Sequence, residues 1–284
     1  MSPLVTAAEL RELLASPRPP RVLDVRWRLD RPDGREAFAN GHIPGAVYVD
    51  LDTELAAPAV PTEGRHPLPS PSRLQQAARR WGLRDGDTVV VYDDIKNTSA
   101  ARAWWLLRDA GVEARVLDGA YDAWVGAGLP IETGESDQTP GDVTLTTGRM
   151  PTVEMDAAAA APATGVLLDA RAAERYRGEV EPVDPQAGHI PGAISAPTTD
   201  NVDARGRFLP PEVLRARFAA LGVTDGIPVT AYCGSGVTAS HEVLALAVAG
   251  VDAALYPGSW SQWSNTAGRP VATGAAPAPD EEEQ

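Results

Sequence analysis

The chain has 284 residues, 43% of them hydrophobic and 23% charged, with 26 Pro and 26 Gly. That length exceeds what one typical core needs, so two globular domains rich in turns are expected, and a fibrous or collagen-like protein is excluded. A formal net charge of −14 excludes general binding to nucleic acid or anionic lipid and requires any anionic substrate to find a local basic pocket.

In chain order, apolar or β-branched runs at 21–25, 89–92 and 114–117 alternate with helix-like segments at 72–81 and 99–110. A second set, at 166–169, 228–232 and 253–256, alternates with 211–221 and 237–249. Gly82, Gly111, Gly222 and Gly250 stand where those helices should stop. The alternation predicts a mainly parallel α/β sheet flanked by helices in each half.

The halves repeat. Val22-Leu-Asp-Val-Arg26, Gly41-His-Ile-Pro-Gly-Ala46, Val89-Val-Val-Tyr92 and Val116-Leu-Asp-Gly119 ahead of Trp124 come first. Val166-Leu-Leu-Asp-Ala-Arg171, Gly188-His-Ile-Pro-Gly-Ala193, Val229-Thr-Ala-Tyr232 and Leu255-Tyr-Pro-Gly258 ahead of Trp263 follow in the same order. A period of about 145 residues means duplicated domains, because solenoid units are far shorter. The expected division is 1–134 for the first domain, 135–151 for a polar linker, 152–272 for the second domain and 273–284 for a disordered acidic tail. Met1 to Leu10 lacks the basic and apolar regions of a secretory signal and no later run reaches membrane-spanning length, so a cytoplasmic location is expected.

The single cysteine, Cys233, excludes an internal disulfide and a multi-thiolate zinc site. It stands in Tyr232-Cys-Gly-Ser-Gly-Val-Thr238, between a predicted strand and a predicted helix. Ligands of open α/β sheets bind outside the carboxyl ends of the strands. Gly234 and Gly236 permit a tight curl whose N–H groups, with those of Val237 and Thr238, converge on an anion at the helix mouth. Such a nest favours thiolate over thiol and also suits a terminal persulfide sulfur. A buried filler is the default role for a lone cysteine, but a filler needs no such glycines and hydroxyls around it. The first half has Asp93 at the matching point, so only the second half carries a nucleophile. A cysteine phosphatase would close this loop with Arg where the chain has Ala239, and so lacks the fork a phosphoryl group requires.

The doubled Gly-His-Ile-Pro-Gly-Ala, the paired Asp-x-Arg strand ends and Cys-Gly-Ser-Gly-Val-Thr resemble the tandem rhodanese family, which includes thiosulfate and 3-mercaptopyruvate sulfurtransferases. The likeness runs over roughly residues 4–270. It implies two tandem rhodanese-like domains, an inactive first domain and a site between the domains. The neutral loop resembles the mercaptopyruvate members, whereas thiosulfate-using members commonly place basic residues after the cysteine. The resemblance therefore implies a small anionic donor, 3-mercaptopyruvate, with thiosulfate as the alternative and a thiol, thioredoxin or cyanide as acceptor. A non-enzymatic binding module is the third reading, disfavoured by the intact Cys233. The resemblance further implies that Ser235, His42 and Asp33 act together beside Cys233, and that Arg175 anchors the donor carboxylate. Many mercaptopyruvate members have a second Arg after an acidic-Pro turn; this chain reads Glu181-Pro-Val-Asp-Pro185, leaving Arg177 or Arg102 to compensate. Arg171 is expected to tie the strand end to acidic neighbours.

His189 is read as structural, and His66 and His241 as surface or helix residues without metal-ligand spacing. The tryptophans are read as core, with Trp260 and Trp263 also walling the active-site mouth. No dinucleotide fingerprint or Walker loop is present, and no cofactor or metal is expected.

Overall fold

The computed structural model describes residues 2–136 and 138–277. The chain divides into two compact units. Unit 1 takes residues to Ala57, then Leu68–Met150 and Val202–Phe208; unit 2 takes Pro58–Pro67, Pro151–Asn201 and the chain from Leu209 onward. Two excursions thus depart from the expected division: 58–67 belongs with the second unit and 202–208 with the first.

Unit 1 holds strands β1 (Leu4–Val5), β2 (Arg21–Asp24), β3 (Val47–Tyr48), β4 (Thr88–Tyr92) and β5 (Glu113–Leu117), in the order β1-β5-β4-β2-β3 and all parallel. Helices at Ala7–Leu14 and Arg35–Asn40 lie between β1 and β2 and between β2 and β3; α1 (Pro71–Arg80) precedes β4, α2 (Thr98–Asp109) joins β4 to β5, and α3 (Ala120–Gly126) follows β5. Helix α1 starts where Ser70 Oγ accepts the Arg73 N–H at 3.3 Å and Pro71 occupies the first turn. Strands β1 and β3 have two residues each, too few for any alternation to show in the sequence. Residues 138–150, within the stretch expected as a polar linker, are mostly exposed and hydrogen-bond to this unit. Gly141 N–H donates to Arg79 O at 2.7 Å, and Asp109 Oδ1 accepts the N–H groups of Gly148 and Met150, both at 3.0 Å. A polar composition signals exposure but says nothing of which backbone groups will find partners.

Unit 2 repeats the plan with β6 (Val166–Asp169), β7 (Ile194–Ser195), β8 (Val229–Tyr232) and β9 (Ala254–Leu255), parallel in the order β7-β6-β8-β9. Its helices include α4 (Pro211–Ala220), α5 (Val237–Val248) and α6 (Ser259–Asn265). Register places Asp169 opposite Tyr232, as Asp24 lies opposite Tyr92 in unit 1. The Asp-x-Arg ending and the cysteine loop therefore leave the sheet side by side at the carboxyl end of its strands.

The cores are twins. Tyr232, Tyr256, Trp260 and Trp263 pack with Leu167 and Ile190, and Tyr92 and Trp124 pack with Val22 and Ile43. Each buried tyrosine hydroxyl accepts an N–H of the His-Ile-Pro-Gly turn, Ile190 to Tyr232 at 3.1 Å and Ile43 to Tyr92 at 3.2 Å. Trp260 and Trp263 are thus core residues. Of the expected acidic tail, Gly274 donates its N–H to Arg177 O at 2.9 Å, so its beginning is held on unit 2; residues 278–284 lie outside the described residues. Among the described residues no helix is long and apolar enough to cross a membrane.

Helix α5, which begins at the cysteine loop, buries Glu242 completely. Its carboxylate accepts Asn201 Nδ2 at 2.6 Å and lies 3.5 Å from Arg217 Nη1. Burial pushes this carboxyl up to about 7, while Arg217 and Asn201 pull it down. With the folded value above the ordinary 4.5, folding takes up a proton between these limits. Stability is then fully present below the lower value and lost as pH rises through about 7. Glu242→Gln is expected to flatten the urea-unfolding free energy of unit 2 across this window; an unchanged pH slope would place the titration elsewhere.

Candidate active site

Strand β8 ends at Tyr232 and α5 begins at Val237, so Cys233 lies where a parallel sheet delivers its ligand-binding loops. Gly236 caps α5 with φ +80°, a left-handed conformation that a side chain would strain. The curl returns the Gly236 N–H to Cys233 Sγ at 3.2 Å. The sulfur therefore receives a peptide donor at a helix N-terminus, an arrangement that stabilises negative charge there. Cys233 is 1% exposed.

The first turn of α6 clamps the loop. Cys233 N–H donates to Ser259 Oγ at 3.1 Å, while Trp260 N–H donates to Cys233 O at 2.9 Å and Ser261 N–H to Gly234 O at 2.8 Å. Ser259, at φ +53°, donates its hydroxyl to Tyr256 O at 2.9 Å.

Unit 1 shows what this loop geometry holds. Asp93 stands in the cysteine position and is fully buried. Its Oδ1 accepts Ile95 and Asn97 N–H, each at 2.8 Å, and its Oδ2 accepts Ser99 at 2.8 Å and Ala100 at 3.0 Å. Burial pushes the Asp93 carboxyl up to about 6 against the opposing pull of these four amides. Ala120, at φ +58°, matches Ser259, and Tyr121 N–H donates to Asp93 O at 2.8 Å as Trp260 does to Cys233.

Ser235, 7% exposed, sits beside the sulfur-bearing turn, and its Oγ is 2.7 Å from His66 Nδ1. This corrects the reading of His66 as a surface or helix residue, for it is 6% exposed. Residues 58–67 fold against α6. Gln262 Nε2 donates to Thr62 O at 2.7 Å, Arg65 N–H to Ser261 Oγ at 3.0 Å, and Gly64 approaches Gly258 so closely that an added Cβ would lie 2.7 Å from its carbonyl oxygen. The available signal was the long, aperiodic, Pro-rich stretch itself, since such excursions inside compact domains are usually functional.

Three arginines gather near the loop in unit 2. Arg171 is buried, donating to Asp169 Oδ2 at 2.6 Å and Gly188 O at 2.6 Å, with its guanidinium 4.6 Å from the Trp260 ring centroid. Arg175 donates through Nε and Nη2 to Glu181 at 3.2 and 2.6 Å. Arg65, which the sequence reading passed over, donates through Nη1 to Asp184 at 2.8 Å. Burial raises the Asp184 carboxyl and Arg65 pulls it back. A Cβ placed on Gly234 would be 3.2 Å from Arg65 Nη2 and 3.5 Å from Arg175 Nη1, so both guanidinium groups face the first step of the loop.

The remaining expected residues have other surroundings. His42 is buried in unit 1, stacked on Phe38 at 3.8 Å with Nδ1 2.9 Å from Phe38 O. Its counterpart His189 stacks on Tyr176 at 3.7 Å with Nδ1 2.8 Å from Tyr176 O, so both turns use the ring in the same structural way. Asp33 is exposed and accepts the Arg35 N–H at 3.0 Å. Arg102 is buried on α2, with Nε donating to Leu55 O at 3.2 Å. Arg177 pairs with exposed Glu179 at 2.7 Å. Among the described residues no group of His, Cys, Asp and Glu could hold a metal ion.

A duplicated parallel sheet that places one thiol, in one copy only, at a helix mouth with a peptide N–H directed at it defines a two-domain α/β protein with a candidate cysteine nucleophile. The chain matches the rhodanese-like domain twice, over residues 6–127 and 154–266. It is 49% identical over 279 residues to SseB of Mycobacterium tuberculosis, provisionally named a thiosulfate sulfurtransferase, covering 96% of this chain and 98% of that protein. It is 48% identical over 283 residues to a protein of Pseudomonas aeruginosa provisionally named a 3-mercaptopyruvate sulfurtransferase, covering 95% and 98%. The crystal structure of SseA from Escherichia coli, a 3-mercaptopyruvate sulfotransferase, superposes with a TM-score of 0.81 at 33% identity over 92% of this chain and 99% of that one. The chain belongs to the rhodanese family and is a sulfurtransferase.

Arg171 holds the strand end beside the cysteine loop, and its removal strands a buried Asp169. Arg171→Met is expected to cost about 3–5 kcal/mol of stability, read by urea unfolding; a loss within about 0.5 kcal/mol, the usual size for a surface change, would mean that Asp169 finds other partners.

Proposed function

We propose that Cys233 carries sulfur from 3-mercaptopyruvate to a thiophilic acceptor. The thiolate attacks the thiol sulfur of the donor, the carbon–sulfur bond breaks, and its electron pair leaves on carbon as the enolate of pyruvate. The enolate carbon takes up a proton, for which the Ser235–His66 pair, 2.7 Å apart, is the assigned source. The persulfide on Cys233 is then attacked at its outer sulfur by a thiol, thioredoxin or cyanide, which restores the thiolate and gives ping-pong kinetics. The observation that carries this reading is the Gly236 N–H directed at Cys233 Sγ, 3.2 Å away at the mouth of α5. Arg175, facing Gly234, supplies a guanidinium for the donor carboxylate. The neutral loop and the names given to the Pseudomonas and Escherichia coli relatives support the donor. His42, Asp33, Arg102 and Arg177 have no part in the proposal.

Thiosulfate is the second reading, supported by the name given to the Mycobacterium relative and by two guanidinium groups that suit a sulfonate as well as a carboxylate. The two donors differ in one physical requirement. Sulfite leaves thiosulfate with the bonding pair on sulfur and needs no proton, whereas the enolate must be protonated.

Cys233→Ser is expected to abolish transfer and the ~32 Da gain in intact mass after donor treatment; turnover in that variant would end the mechanism. Ser235→Ala is expected to lower kcat with 3-mercaptopyruvate by about 100-fold and to leave thiosulfate turnover nearly unaltered. Equal losses with both donors would remove Ser235 from proton delivery, and a higher wild-type kcat/KM for thiosulfate would reverse the donor assignment.

A further inference from the structure

Segment 179–186 reads Glu-Val-Glu-Pro-Val-Asp-Pro-Gln and contributes only acids to the neighbourhood of the cysteine loop. Glu181 and Asp184 are both well buried there, with side chains 4% and 3% exposed. An oxyanion can approach two such carboxylates only where guanidinium N–H groups neutralise them and face the approach. Arg175 alone does not suffice, because Glu181 takes its Nε and Nη2, and Arg171, which also lies 3.4 Å from Glu181, is buried against Asp169.

The balancing charge comes from a distant part of the chain. Arg65 lies in Pro58–Pro67, the piece of the first half that belongs to unit 2. Its backbone N–H is fixed on Ser261 Oγ at 3.0 Å, and Nη1 is fixed on Asp184 Oδ1 at 2.8 Å. Asp184 Oδ2 lies 3.4 Å from Arg175 Nη2, so this single carboxylate bridges the two guanidinium groups. The acids hold the far edges of the arginines. The near edges, Arg65 Nη2 and Arg175 Nη1, make no hydrogen bond among the described residues, and both point at the same spot above Gly234, at 3.2 and 3.5 Å. Arg65 Nε, unlike those edges, is buried, and it has no hydrogen-bond partner among the described residues. The two side chains are 23% and 18% exposed, so their near edges are open to an incoming ligand, while the buried Nε of Arg65 is a donor that is costly to leave unmade.

We propose that Arg65, together with Arg175, forms the fork that binds the oxyanion of the sulfur donor over Gly234, with Asp184 as the residue that positions both arginines. The inference rests on Cys233 being the sulfur carrier. The fork fits a carboxylate or a sulfonate, since each offers two or more coplanar or near-coplanar oxygens to parallel N–H donors. Arg65 contacts the non-reacting end of the donor, so it acts on donor binding and not on discharge of the persulfide to a neutral acceptor.

The test compares wild type, Arg65→Gln and Arg65→Lys in three measurements. Loading is followed with 3-mercaptopyruvate and with thiosulfate, discharge of the persulfide is followed with 2-mercaptoethanol, and binding of pyruvate and of thiosulfate is measured by calorimetry in a Cys233→Ser background. Arg65→Gln is expected to raise KM and Kd by about ten- to a hundredfold, the loss of a charge-assisted hydrogen bond, and to leave discharge unchanged. Arg65→Lys, which keeps the charge but not the fork, is expected to show a smaller rise, and it carries the test if the Gln variant does not fold. An effect on both donors assigns a general oxyanion site; an effect on one alone assigns its carboxylate or its sulfonate. Unchanged KM and Kd in either folded variant, equal losses in loading and discharge, or no anion binding to the parent protein would overturn the proposal. Failure of sulfur transfer itself reads differently: wild type would then bind anions through Arg65 yet form no persulfide.

Discussion

Peptide N–H groups directed at the side chain where a parallel strand ends are the constraint on which this structure turns. The loop appears twice with the same backbone logic: strand, small-residue curl, helix, and a clamp from the helix that follows the next strand. In unit 1 its occupant is built in, and the two oxygens of Asp93 take four amides. In unit 2 the occupant is one sulfur, to which the Gly236 N–H is directed. A carboxylate can only fill such a loop. A thiolate can fill it, bond to a second atom and release it again, so the residue at this one position decides whether the loop holds a nucleophile.

The charged groups around the loop are paired, so that none is isolated in a low-dielectric interior. Asp169 and Arg171 leave β6 beside β8 and close on each other at 2.6 Å, just as Asp24 and Arg26 do in the first unit. Pairing of this kind adds little net stability over an apolar core, but it fixes the direction in which the chain departs from the sheet. Around the loop itself, Glu181 and Asp184 hold Arg175 and Arg65 by their outer edges. The protein as a whole carries a formal charge of −14, and these guanidinium groups are the cations that a small anion would meet at the loop.

The duplication, the parallel α/β architecture and the long helices were legible because each rests on residues near one another in the chain. The helices expected at 72–81, 99–110, 211–221 and 237–249 appear as Pro71–Arg80, Thr98–Asp109, Pro211–Ala220 and Val237–Val248, displaced by a residue or so at their ends. The two-residue strands β1, β3 and β7 are too short to carry a pattern, and backbone pairing across the sheet is what makes them strands. The polar composition of 138–150 reads as a linker, and only the fold shows that Asp109 and Arg79 accept the amides of Gly141, Gly148 and Met150.

By itself the sequence determined the strand–loop–helix around Cys233, because a glycine at positive φ, a preceding β-branched strand and a following helix are encoded within about ten consecutive residues. It also determined, through Asp93, which copy of the loop can react. Only the tertiary structure decided which histidine meets Ser235 and which cation joins Arg175. His66 and Ser235 are 169 positions apart, Arg65 and Asp184 are 119, and they meet because an aperiodic excursion of the first half lies on α6. Such convergence depends on the path of the folded backbone, and no local spacing records it.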